Sequence, residues 1–166
     1  MRHSESFATE ENHPIDVVEQ VATSNDWEFE RVSEIEISLD VEGQWREYSN
    51  TLAWSECDET LRIVSSFAID LPEKNRPALF ELLNSINDRC WVGNFSYWAK
   101  KNLIVYRYGP VLTQRAEVST SQVMTMMAAA VMSCERYYPA IQLVAGGDKS
   151  PNDALQLALC ETYGHA

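Results

Sequence analysis

Between residues 34 and 41, Ile35, Ile37, Leu39 and Val41 alternate with Glu34, Glu36, Ser38 and Asp40. A period of two sends successive side chains to opposite faces, so this stretch reads as a strand with one apolar and one acidic face. Such a strand needs partners for its edges and a cover for its apolar side. The residues that follow supply the partners. Glu42-Gly43 marks a tight turn into residues 44 to 54. Residues 56 to 59 form a second turn into residues 60 to 71, where Leu61, Ile63, Phe67 and Ile69 share a face. Consecutive strands with short turns make an antiparallel meander, and residues 27 to 32 read as an edge strand or an extended lead-in.

The cover comes from helices on either side. Pro14 suits a first helical turn, and Ile15, Val18, Val21 and Ala22 recur at helical spacing up to the Ser24-Asn25-Asp26 break. Pro72 closes the meander, and Glu73 and Pro77 open a second helix whose stripe of Leu79, Leu83, Ile86 and Cys90 runs to Trp91. A second hairpin follows, residues 95 to 99 and 103 to 108 around Lys100-Lys101-Asn102, closed by Gly109-Pro110. From Ser119 a third helix carries Val123, Met126, Met127, Ala130, Val131, Cys134 and Tyr138 on one stripe, and Pro139 is expected to end or kink it. Its opposite side, with Met124, Ala128, Ala129 and Met132, is almost chargeless, so the helix is expected to be covered all round. Ser150, Pro151 and Asp153 then cap a last helix with Leu155, Ala158 and Leu159 inward. Strands segregated from helices, with no β-α-β alternation and no repeat, give an α+β class: an antiparallel sheet, meander plus hairpin, packed by helices.

A chain of 166 residues suits one domain, which at this size buries roughly 68–70% of its unfolded surface. The expected division is a loose acidic segment over residues 1 to 13 and a single domain over 14 to 166. The net charge is −12, and residues 1 to 47 hold thirteen Asp or Glu against Arg2, Arg31 and Arg46. Nucleic-acid and anionic-membrane binding rest on cations, so neither is expected as a partner, and the acidity suits solubility or the steering of a basic protein. No stretch reaches the roughly 18 apolar residues of a membrane span, and the polar, acidic start lacks a leader pattern, so a cytoplasmic location is expected. Cys57, Cys90, Cys134 and Cys160 are far apart, and His3, His13 and His165 do not join them, so no metal site is expected. Cys90, Cys134 and Cys160 fall on apolar helix faces and read as reduced core cysteines.

Trp27-x-Phe29-Glu30-Arg31, Glu42-Gly43-x-Trp45, Leu82-Leu83-x-x-Ile86-Asn87, Glu135-Arg136-x-Tyr138-Pro139-Ala140 and Gly146-Gly147-x-Lys149-Ser150-Pro151 resemble the bacterial YbjN-domain family in order and spacing. The resemblance covers Pro14 to the C-terminus. It implies a fold like that of the small acidic class I chaperones of type III secretion, commonly homodimeric, and a role in regulating sensory transduction. It implies no catalytic residues.

The residues themselves agree in offering little chemistry. Gly146-Gly147-Asp148-Lys149-Ser150 has the wrong spacing for a phosphate loop and reads as helix termination and re-capping. Glu34, Glu36 and Asp40 share one strand face rather than facing one another, and no nucleophile or metalloprotease motif occurs. What stands out is apolar surface. Trp45, Tyr48, Trp54 and Trp98 supply more large rings than one sheet face usually buries, and are candidate protein-binding residues. By strand parity Trp54 sides with Tyr48 while Trp45 points the other way. Met124 and Met132 are candidate dimer contacts. The expectation is a non-enzymatic protein-binding module without a cofactor, chaperone-like or a regulatory adaptor, self-associating as a homodimer and engaging an unknown client protein. The alternatives are a sensory regulator with a small-molecule pocket lined by Trp and Tyr, and a cryptic hydrolase.

Overall fold

The computed structural model describes residues 12–112 and 117–161. The loose acidic segment expected at the N-terminus falls on residues 1 to 11 for the most part, outside the described residues, as do His3 and His165. The chain runs α1 (Pro14–Ser24), β1 (Phe29–Ser33), β2 (Glu36–Glu42), β3 (Glu47–Ser55), β4 (Thr60–Ala68), α2 (Arg76–Asn87), β5 (Asn94–Trp98), β6 (Leu103–Tyr108), α3 (Thr120–Gly146) and α4 (Pro151–Glu161). A short 3₁₀ turn at Glu73–Asn75 leads into α2.

The strands form one six-stranded antiparallel sheet in the order β1-β2-β3-β4-β6-β5. The meander is β1 to β4, and the later hairpin joins it by pairing β6 to β4, with Ser66 opposite Val105. One face is built from Ile37, Leu39, Tyr48, Leu52, Leu61, Ile63, Phe67, Phe95, Ile104 and Tyr106, all buried. The helices lie over that face, and Val18, Leu79, Leu82, Ile86, Val123, Met126, Ala130 and Ile141 complete one core with it. The other face carries Glu30, Glu36, Asp40, Glu42 and Glu47 on β1 to β3, and Arg62 and Arg107 on β4 and β6. An antiparallel sheet with one covered and one polar face follows directly from the alternation in the sequence.

The start of β2 departs from the expected pattern. Ile35 lies in the β1–β2 turn, exposed, because pairing begins only at Glu36 opposite Ser33; its carbonyl still accepts from the Trp54 amide at 2.9 Å. Helix α2 stops at Asn87, so Trp91 falls beyond its apolar stripe and is fully exposed. Pro139 does not end α3. The helix continues to Gly146, because Tyr137, Ala140, Ile141, Val144 and Ala145 bury around the proline and outweigh the one hydrogen bond it removes. It stops at Gly147, whose φ of 80° is the left-handed conformation that glycine adopts without a Cβ penalty. Its start is fixed by a capping box, in which Ser119 Oγ accepts from the Gln122 amide and the Gln122 side chain accepts from the Ser119 amide. Helix α4 packs on α3 and α2 through Ala154, Leu155 and Ala158, yet Met124 and Met132 stay exposed, so within one chain α3 is not covered all round. Cys134 is buried and Cys90 half-buried as expected, whereas Cys160 is exposed on the outer side of α4.

Candidate functional site

The structure brings Glu42-Gly43-x-Trp45 and Glu135-Arg136-x-Tyr138 together at one end of the sheet. The β2–β3 turn places the backbone amides of Gln44 and Trp45 against Glu135 of α3, which accepts from them at 2.9 and 3.3 Å. Charge-assisted bonds of this kind are about twice as strong as neutral ones. Gly43 makes the approach possible: a Cβ there would come within 2.2 Å of Glu135 Oε1 and 2.6 Å of the Tyr48 ring. With the turn so held, the Trp45 ring stacks on Tyr138, centroids 6.4 Å apart and planes 25° from parallel. Arg46 lies over the rings of Phe67 and Tyr138 at 5.6 and 5.8 Å and donates to the Ala68 carbonyl at 2.8 Å. A cation against two aromatic faces adds rigidity to a turn that would otherwise move.

Strand order carries Trp98 to the same end. Leu103 pairs with both Ala68 and Trp98, and Ser66 pairs with Ser49, so the last residue of β5 lies level with the start of β3. The two are three strand spacings apart, roughly 14 Å. Trp45 is 47% exposed, Trp98 37% and Phe80 49%. Phe80 of α2 leans on Tyr97, centroids 6.3 Å apart. At this end Trp45 stacks on Tyr138 and Phe80 leans on Tyr97, all on the helix side, while Trp98, opposite Leu103 and out of phase with Phe95 and Tyr97, turns to the other face of the sheet, with Lys100 and Lys101 in the adjoining turn.

The remaining candidates sit elsewhere. Tyr48 is fully buried with its ring against Phe67, so it supports the turn from beneath. Its hydroxyl makes no hydrogen bond of good geometry, and burial first, then the Glu135 carboxylate, hold its pKa far above that of a free tyrosine. Trp54, at the far end of β3, is half-buried with the His13 ring edge-on to it at 6.5 Å. The parity expectation for Trp45 does not hold, because the strand begins at Glu47 and alternation has no force within the turn; Trp45 lies on the helix side like Tyr48. Met124 is 38% and Met132 69% exposed on α3, and Met132 stands one turn before Glu135. Sequence reasoning missed Phe80, Arg46 and the clamp role of Glu135. Glu42-Gly43-x-Trp45 and Glu135-Arg136-x-Tyr138 were both legible as motifs, but nothing local says that they meet.

Other motifs also tie elements together. The Asn87 carboxamide donates to the Phe95 carbonyl at 2.9 Å and accepts from the Phe95 amide at 2.7 Å, as a neighbouring strand would. Arg31 joins Asp16 and Glu19 of α1, each at 2.7 Å, and those two partners raise its pKa. Asn75 donates to the Ala145 carbonyl at 2.8 Å near the end of α3.

An open groove of about 520 Å³ lies on the polar sheet face, lined by Arg62, Arg107, Asp58 and Asn94. Arg62 there is tied to Asp58. A second open groove beside Arg31 is lined by α1. Neither is a deep cavity lined by Trp and Tyr, the feature expected of a ligand sensor. Among the described residues no cluster of His, Cys, Asp and Glu could hold a metal ion, and no helix is long and apolar enough to cross a membrane. Burial pushes the Cys134 thiol up to about 12, against a smaller opposite effect of Ser65, so this cysteine is protonated and inert at neutral pH.

Comparison with known proteins bears on the same elements. The YbjN family model, described as "Putative bacterial sensory transduction regulator", matches residues 14–143. The crystal structure of YbjN from E. coli, described as "a putative transcription regulator", superposes with a TM-score of 0.51 at 11% identity, covering 89% of this chain and 92% of that one. At that identity the likeness is one of fold. No curated protein matches the sequence.

Proposed function

The chain belongs to the YbjN family, and we propose that it acts as a non-enzymatic regulatory adaptor, a homodimer that holds a client protein at the aromatic rim of its sheet. The observation that carries this reading is the partial exposure of Trp45, Trp98 and Phe80 at one end of the fold, with Trp45 on a turn that Glu135 and Arg46 hold in place. Rigid, partly exposed aromatic rings are the residues that supply most binding energy at protein interfaces, because they lose little side-chain entropy on docking. The acids of β1 to β3 give the molecule a field that speeds encounter with a basic client.

The reading is tested by placing a photo-crosslinking amino acid at position 98, and separately at exposed Asn152 of α4, in cells of the source organism. A discrete adduct from position 98 and none from 152 is the expected result. No adduct from position 98, or the same adducts from both positions, counts against the rim.

A further inference from the structure

We propose that the loop between α2 and β5, which carries Trp91, is a second docking surface, and that its occupant is an acidic segment of a partner protein with an apolar side chain for that ring. It goes beyond the reading above and is separate from the rim, since the loop leads into β5 at Asn94 whereas Trp98 closes the strand at its other end. Trp91 is 99% exposed, and Val92 beside it 46%.

A single exposed apolar residue is ordinary on a protein surface. What sets Trp91 apart is the backbone beneath it, which is pinned on both sides. The Tyr106 hydroxyl donates to the Val92 carbonyl at 2.7 Å. Gly93 lies so close on the Tyr106 ring that a Cβ there would come within 2.3 Å of it. On the α2 side the amides of Arg89 and Cys90 donate to the carbonyls of Ile86 and Asn87 at 2.9 and 3.1 Å. A ring held out on fixed backbone loses little freedom on docking, so the ~150–250 Å² that a large aromatic side chain can bury counts almost fully toward binding.

Charge selects the partner. The chain has a net charge of −12, yet Arg89, Arg107 and Arg136 gather at this loop, all exposed. Among the described residues none of the three forms an ion pair. Arg107 stands opposite Asn94 across β5 and β6, and with Gly93 and Asn94 it lines the open groove beside the loop. Arg136 approaches from α3: burial raises the pKa of the Cys90 thiol, and the charge of Arg136 opposes it. Burial likewise raises the pKa of Tyr137, against the charges of Arg136 and Arg89. Asp88 is the one acid between Asn87 and Trp98, and the acids of the outer sheet face stand on β1 to β3, at the far side of the sheet. Cations beside an exposed ring complement the carboxylates and the apolar side chain of one segment. A nucleic acid would meet the same cations, but its long polyanion would also meet the field of the whole molecule, so a short acidic segment is favoured.

The test pans a displayed random-peptide library against the full chain and scores each clone again on Trp91→Ala and on Trp98→Ala, the second sorting out clones that bind the rim. The expected clones keep Trp98→Ala, bind Trp91→Ala more weakly by about tenfold or more, and are rich in Asp and Glu with an apolar residue among them. Arg89→Glu is expected to weaken the same clones by about threefold or more, and Arg89→Lys to leave them unchanged. Should Trp91→Ala not fold, the Arg89 pair of variants decides alone. No clone that depends on Trp91, or Trp91-dependent clones that are basic or uncharged, overturns the proposal. So does a single-stranded oligonucleotide that binds the parent and not Trp91→Ala, which gives the surface to nucleic acid. A parental dimer that Trp91→Ala splits into monomers on light scattering gives it to a second copy and overturns the proposal too.

Discussion

Glu135 is the residue on which the rim depends. Its carboxylate is the acceptor for two amides of the β2–β3 turn, and hydrogen bonds to a charged group contribute about 1.5–3 kcal/mol each before the loss of the charge is counted. Glu135→Ala is expected to lower stability by about 2 kcal/mol and to loosen Trp45, seen as a red-shifted, more quenchable tryptophan emission; an unchanged denaturation midpoint and spectrum would refute the clamp. Tyr48 poses the opposite case, a buried hydroxyl without a good partner. Its pKa is raised in the folded state, so its protonated form is fully compatible with folding below about pH 10, and stability is lost as the pH climbs from there toward the folded value. Tyr106, pushed up to about 12 chiefly by burial, acts in the same direction. Tyr48→Phe is expected to cost under about 1 kcal/mol at pH 7 and to make the denaturation midpoint fall less between pH 9 and 11. A variant that loses stability with pH as steeply as the parent would show that Tyr48 is not a source of the alkaline sensitivity. The thiols give a third check: iodoacetamide should modify Cys57 and Cys160 in the native protein and reach Cys134 only after unfolding.

At the scale of elements, β5 pairs with β6 on one side, and its outer edge is met by a side chain rather than by another strand. Asn87 satisfies both backbone groups of Phe95, so a further strand cannot pair there without displacing it. Asn87→Ala is expected to lower stability by about 1–3 kcal/mol and to speed amide exchange at Phe95; exchange unchanged at that residue would contradict the role given to Asn87. The strands themselves were legible in the sequence, because Ile37, Leu39 and Val41 alternate with polar residues and because Gly43 and the Lys100-Lys101-Asn102 turn punctuate them. Caps were legible for the same local reason at Pro14 and at Ser150, whose Oγ accepts from the Asp153 amide at 3.2 Å. Where burial overrides local preference the reading failed. Pro139 stays inside α3 because five neighbours are buried around it, and Ile35 is exposed because the register leaves it in a turn. The site was legible only in parts. Trp45 and Trp98 could be marked as unusual rings, but their common location depends on β6 pairing with β4, a contact between residues far apart in sequence.

At the scale of the whole molecule, three surfaces divide the work. The helices and the covered sheet face make the core, the outer arc of α3 is uncharged, and the aromatic rim lies at the β2–β3 and β5–β6 end. A homodimer with both rims free would let a client with two copies of its own motif gain affinity through linkage. The net charge of −12 keeps such dimers apart and biases encounter toward basic clients, so capture should weaken as salt screens the field. The most direct test of the adaptor reading is quantitative capture from lysate of the source organism by the tagged wild-type chain and by a folded Trp45→Ala/Trp98→Ala double variant. A stoichiometric partner with the wild type and recovery lower by roughly tenfold or more with the variant is the predicted result. Equal recovery by the two proteins, or no partner with the wild type, would contradict it.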